Sequence, residues 1–154
     1  MDEGAQNQRI REHLWQHLES EHRQLNKVLG DVESLAAEGS FETARKRFGE
    51  YRLAHERHLV MERKLEALFR ELRETASFVT RLKRERTRML EQSERVWKCL
   101  CQEKNAPVPR MLGRLATLVS EHEDAQRRLI LADLPLSPER RQEQADLLRH
   151  LGRL

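Results

Sequence analysis

The chain has little of what strands, disulfides and membrane spans require. Aromatic residues make up 5% of its 154 positions, and it holds only 6 glycines and 4 prolines. That composition is poor in the residues strands prefer and leaves helix formers to dominate. Two cysteines, Cys99 and Cys101, stand one residue apart. A helix would point them in different directions, which suits neither a disulfide nor a zinc knuckle, so both are expected to be reduced and structurally minor. No apolar run approaches the roughly 20 residues that span a bilayer. The acidic start, Met1-Asp2-Glu3-Gly4, is unlike a secretory signal. The expectation is a cytoplasmic protein with no membrane partner.

Charge of one sign is also lacking, because 29 basic and 26 acidic residues leave only +3. The two signs are interspersed, as on solvated helix faces. The densest basic run, Arg81 to Arg88, is broken by Glu85 and by apolar seam positions, so nucleic acid is not an expected partner. There is no nucleophile-base pair and no glycine-rich phosphate loop, and an enzyme is not expected.

What the chain does have is charge, 36% of its residues, laid over a regular apolar pattern. Its length suits a single domain, residues 1–154. Punctuation is rare: Gly39-Ser40, Asn105-Ala106-Pro107 and Pro135 with Ser137-Pro138, plus an unmarked turn expected near 74–77. These breaks predict helices at about 6–38, 41–73, 77–104, 109–133 and 138–151. Seams spaced alternately three and four residues run along the four long segments, as in helices packing at small crossing angles. The first reads Trp15, Leu18, His22, Leu25, Leu29, Val32, Ala36; the second includes Phe48, Tyr51, His55, His58, Glu62, Leu65, Phe69 and Leu72. In the third stand Val79, Leu82, Arg86, Met89, Ser93, Val96 and Leu100, and in the fourth Leu112, Leu115, Val119, His122, Gln126, Leu129 and Asp133. The fold they predict is an all-α, up-down-up-down antiparallel four-helix bundle with a short C-terminal helix. Leu147, Leu148 and Leu151 of that last helix would cover one end of the bundle or form a dimer contact, leaving monomer and homodimer both open.

Each seam is interrupted by polar residues: His22, His55, His58, Glu62, Arg86, His122 and Gln126. Helices rise about 1.5 Å per residue, so positions equally far from a shared loop lie level in antiparallel neighbours. His22 precedes the Gly39-Ser40 break by as much as His58 follows it, to within one residue. Glu62 and Arg86 are equidistant from a turn near 74, and Arg86 and His122 match across Ala106 to about one turn. The interruptions therefore gather at mid-height. His13 and His17 miss the seam and are expected to face solvent, as is His150 near the C-terminus.

Buried polar groups cost on the order of 1–3 kcal/mol each unless they are satisfied. His58 and Glu62, at i and i+4, share a helix face in the way a helix offers two ligands to one metal. With His22 and His122 they make three imidazoles and a carboxylate, a set suited to iron or zinc. His55 reads either as a further ligand or as a core histidine bonded to its neighbours.

Taken in order and spacing, Glu21-His22-Arg23 with Leu25, His58-Leu-Val-Met-Glu62, and Glu121-His122-Glu123 resemble the hemerythrin-like, HHE cation-binding family. The tail Leu136-Ser137-Pro138-Glu139-Arg140 is similar to the short segment that often follows that family's last helix. The resemblance implies a four-helix bundle with a carboxylate-bridged di-iron site. Two positions depart from it: Arg86 stands where the third helix should supply a histidine, with Leu90 four residues on, and Gln126 stands where a second bridging carboxylate belongs. A mononuclear iron site on His22, His58 and Glu62, completed by His122 or water, is then expected rather than a di-iron centre. Two histidines and a carboxylate suit ferrous iron with open positions for dioxygen or nitric oxide. The alternative is a metal-free structural or interaction module in which an Arg86–Glu62 pair replaces the metal. Counting Arg86, Glu62 and a dication gives two uncompensated positive charges, whereas the pair alone is neutral, and this count favours the metal-free alternative.

Overall fold

A computed structural model describes residues 3–67, 76–131 and 137–151. Among the described residues five helices follow in chain order: α1 (Glu3–Ala37), α2 (Phe41–Ala67), α3 (Ala76–Cys101), α4 (Val108–Leu131) and α5 (Pro138–Leu151). The first four pack as a ring, α1 on α2, α2 on α3, α3 on α4 and α4 back on α1, and α5 lies against α1. Contacts between neighbours run in opposite order along the two helices. Asp31–Arg47 and Glu21–His58 show this for α1 and α2, and Arg52–Glu94 and Glu66–Arg86 for α2 and α3. Gln92 bonded to the Met111 carbonyl and Glu85 beside His122 show it for α3 and α4. The expected all-α antiparallel four-helix bundle with a short C-terminal helix is the observed fold. Among the described residues no helix is long and apolar enough to cross a membrane.

Two helix ends are set by the same backbone device. At the end of α1 the Ser40 amide donates to the Leu35 carbonyl (2.9 Å) and the Gly39 amide to Ala36 (3.1 Å), with Gly39 at φ 79°. This closing pair of bonds needs a left-handed residue, the conformation glycine adopts without a Cβ penalty. At the end of α3 the Lys104 amide reaches the Cys99 carbonyl (2.9 Å) and the Glu103 amide faces Leu100, and here Glu103 takes the left-handed position at φ 55°. Helix α3 accordingly stops at Cys101, short of the expected 104. The α2–α3 turn, the seam positions Phe69, Leu72 and Asp133, and the Pro135 break lie outside the described residues.

The core is divided. One apolar cluster holds Leu25, Leu29, Phe48, Tyr51, Met89, Val96, Leu112 and Leu115 among others. A second holds Leu14, Leu18, Leu65, Val79, Leu82, Ala125, Leu129 and Ile130. On each long helix a polar seam residue falls where the chain passes from one cluster to the other: His22 between Leu18 and Leu25, Glu62 between Leu59 and Leu65, Arg86 between Leu82 and Met89, His122 between Val119 and Ala125. Early in α1 it is Leu14 that is fully buried, while the expected seam residue Trp15 is partly exposed and packs edgewise against the His22 ring.

Candidate metal centre

Four helices bring His22, His58, Glu62, Arg86 and His122 to one level, all at 5% exposure or less. Nε2 of His22 lies 3.0 Å from Nε2 of His58, which is 2.9 Å from Oε1 of Glu62. The other carboxylate oxygen, Oε2, is 3.0 Å from Nε2 of His122. His22, His58 and Glu62 form one group whose ligand atoms all lie within 4.8 Å of one another. Glu62, Glu66 and His122 form a second such group, so Glu62 is shared.

Both outer imidazole nitrogens are held by carboxylates at the rim. Glu21 Oε2 accepts from His58 Nδ1 at 2.6 Å, and Glu85 Oε1 lies 3.3 Å from His122 Nδ1. A carboxylate on the outer nitrogen fixes the ring orientation, keeps the proton on that side and turns the Nε2 lone pair inward. Inward, however, each lone pair meets another acceptor: His58 Nε2 faces a second imidazole nitrogen and a carboxylate oxygen. Such an arrangement is stable only with a cation among the acceptors, either a proton or a metal ion. In the protonated case burial opposes the charged form of His58, but the bonds to Glu21 and Glu62 outweigh it and carry its pKa up to about 9. Burial and the neighbouring His58 charge push His22 down to about 4. His122 is raised, its pairing with Glu62 and Glu85 exceeding the cost of burial. For Glu62 the hydrogen bonds from His122 and His58 overcome burial and hold the carboxyl well below its usual range.

The donor set also fits a metal. Two imidazole nitrogens and a carboxylate oxygen are the ligands preferred by zinc and ferrous iron. Donors in a tetrahedral shell with bonds of about 2.1 Å lie about 3.4 Å apart, so the observed spacings of 2.9 and 3.0 Å need only a small outward movement.

Arg86 is ion-paired with Glu62 as expected, at longer range, and is also paired with Glu66. Its Nη2 closes on Glu66 Oε1, while its Nε stays 3.6 Å from Glu62 Oε2 and has no hydrogen-bond partner. This changes the charge count. Arg86 faces two carboxylates, Glu62 and Glu66, and the three together leave one negative charge to set against a dication. His55 belongs to neither group: it stacks on Tyr51, ring centroids 5.3 Å apart, and burial depresses its pKa to about 4, leaving it neutral. Gln126 is buried beside the centre's helix face with neither amide atom partnered. His13 is exposed as expected, whereas His17 is half-buried with Nε2 3.5 Å from Glu21. Both cysteines are free. In the basic run, Arg81, Lys83, Arg84 and Arg88 face solvent and Arg86 is turned inward.

Glu66, Glu21 and Glu85 are the residues the seam reading missed. Glu66 falls one place beyond the seam residue Leu65, among Arg63, Lys64 and other charged neighbours. The signal that marks it is spacing: His58, Glu62 and Glu66 follow one another at i, i+4 and so share one face. The chain matches no protein-family model, no curated protein and no solved structure.

Proposed function

We propose that the chain is a hemerythrin-like metal-binding protein, a non-catalytic binder or sensor in which one iron ion sits on His22, His58 and Glu62, with His122 or water completing the shell. The observation that carries this reading is the pair of carboxylate-anchored imidazoles, Glu21–His58 and Glu85–His122, aimed at a shared carboxylate in a buried layer of the core. Rim carboxylates that orient inward nitrogens are what metal-ligating histidines need, and a purely apolar core would need none. A ferrous ion held by two histidines and one carboxylate keeps open positions for dioxygen or nitric oxide. A groove of about 510 Å³ between α1 and α2, lined by Glu21 and His58 among others, borders the centre on its α1–α2 side. Elemental analysis of protein expressed in iron-supplemented medium tests the proposal. About one equivalent of metal is expected, reduced at least tenfold by Glu62→Ala, and less than a tenth of an equivalent in the parent chain would overturn it.

The competing reading is a metal-free structural or interaction module, and the inward Arg86 guanidinium on Glu66 favours it. Under that reading a chelator leaves thermal stability unchanged. Under the metal reading, chelation lowers it.

A further inference from the structure

We propose that the Arg86 guanidinium is the resident second cation of this centre, anchored by Glu66, and that it limits the centre to one metal ion. The inference rests on the metal reading above and specifies which half of the centre the ion takes. Glu62 presents its two oxygens to different halves. Oε1 belongs with His58 and His22; Oε2 faces His122 at 3.0 Å and Arg86 at 3.6 Å. Glu66, one turn further along α2, completes a second group with Glu62 and His122, and the exposures of these three are 3%, 2% and 1%. On its donor atoms alone this half could ligate a metal as well as the first.

Two buried carboxylates cannot stand without positive charge. The side chain that supplies it comes from α3: Arg86, 5% exposed, with Nη2 on Glu66 and Nε 3.6 Å from Glu62 Oε2. A guanidinium offers only donors and does not lose its proton in proteins, so it can neither ligate a metal nor yield its charge to one. A dication entering this half would meet N–H groups and a fixed charge in a medium that screens weakly. In the first half Glu62 Oε1, His58 Nε2 and His22 Nε2 contact one another, while Arg86 approaches Glu62 at Oε2, on the other half, so the first half is left to the ion. The unpaired Arg86 Nε shows that the guanidinium is placed by Glu66 and not by an optimal fit to Glu62.

The test is metal stoichiometry of the full chain, loaded with zinc or cobalt(II), freed of loose metal by gel filtration and measured by elemental analysis, with circular dichroism to verify folding. The parent chain and Arg86→Lys are expected to bind one ion. Arg86→Met is expected to bind two, and Arg86→Met with Glu66→Gln one again. One ion in both the parent and Arg86→Met would overturn the inference while leaving the metal reading intact, as would two ions in the parent. No ion in either protein would overturn the metal reading itself. Should Arg86→Met not fold, Glu66→Gln alone decides: a released guanidinium closes on Glu62 and weakens zinc binding about tenfold or more, and unchanged affinity would contradict the proposal.

Discussion

At the scale of single residues, the centre turns on Glu62, which serves two imidazoles with two oxygens. In metal-free protein a proton must take the place of the ion between acceptors, and His58 carries it, with its pKa raised to about 9. A group raised in the folded state adds stability that is complete below its unfolded pKa, near 6.5, and is lost as pH rises through the folded value. Chelated protein should therefore lose on the order of 2 kcal/mol between pH 7 and pH 10. Urea midpoints at the two pH values measure this, and zinc-loaded protein, whose His58 Nε2 holds metal instead of a proton, should show a much smaller loss. The residues that carry this chemistry were legible to different degrees. His22, His58, Glu62 and His122 each interrupt an apolar seam, and the interruptions are visible because apolar residues such as Leu18 and Leu25, Tyr51 and Leu65, and Val119 and Leu129 flank them along their seams. Glu66, Glu21 and Glu85 lie one residue off their seams, where in a chain so rich in charge a buried carboxylate reads like a solvated one. Arg86 was legible as an interruption, but its closer partner was not, since the mid-height interruptions contained only one carboxylate, Glu62.

At the scale of elements, Gly39, Pro107 and Pro138 placed their breaks well, and the end of α3 was misplaced because no glycine stands there. Gly39 marks the end of α1 by its freedom to take a positive φ. Glu103 does the same at the end of α3 and leaves no trace in the sequence, since a glutamate is expected to continue a helix. The left-handed conformation costs a residue with a Cβ roughly 1–2 kcal/mol, partly offset by glycine's greater freedom in the unfolded chain. Glu103→Gly is expected to stabilise the protein by about 0.5–1 kcal/mol, and Gly39→Ala to destabilise it by about 1 kcal/mol. Chemical denaturation of the two variants checks both signs, and destabilisation by Glu103→Gly would contradict the account of this turn.

At the scale of the whole molecule, the polar layer parts the core into two apolar clusters, so the four helices meet at mid-height through ionic and imidazole contacts instead of packing. Helix number, order and antiparallel direction follow from seam spacing and short loops, which is why they could be read in advance. What joins the helices in the middle depends on side-chain direction, and spacing does not carry that. A metal ion bound only by the folded chain stabilises it by mass action, about 4 kcal/mol at a thousandfold excess over Kd. For a domain of this size that amounts to roughly 10 °C in Tm. Differential scanning calorimetry with and without zinc should show the increase, and His58→Ala should abolish it.

The most direct test of the metal centre is an anomalous difference map from crystals of the full chain grown with zinc or iron(II). The account predicts a single peak about 2.0–2.2 Å from His22 Nε2, His58 Nε2 and Glu62 Oε1, with Arg86 still on Glu66. A map without a peak between those atoms, and with the Arg86 guanidinium closed on both Glu62 and Glu66, would contradict it.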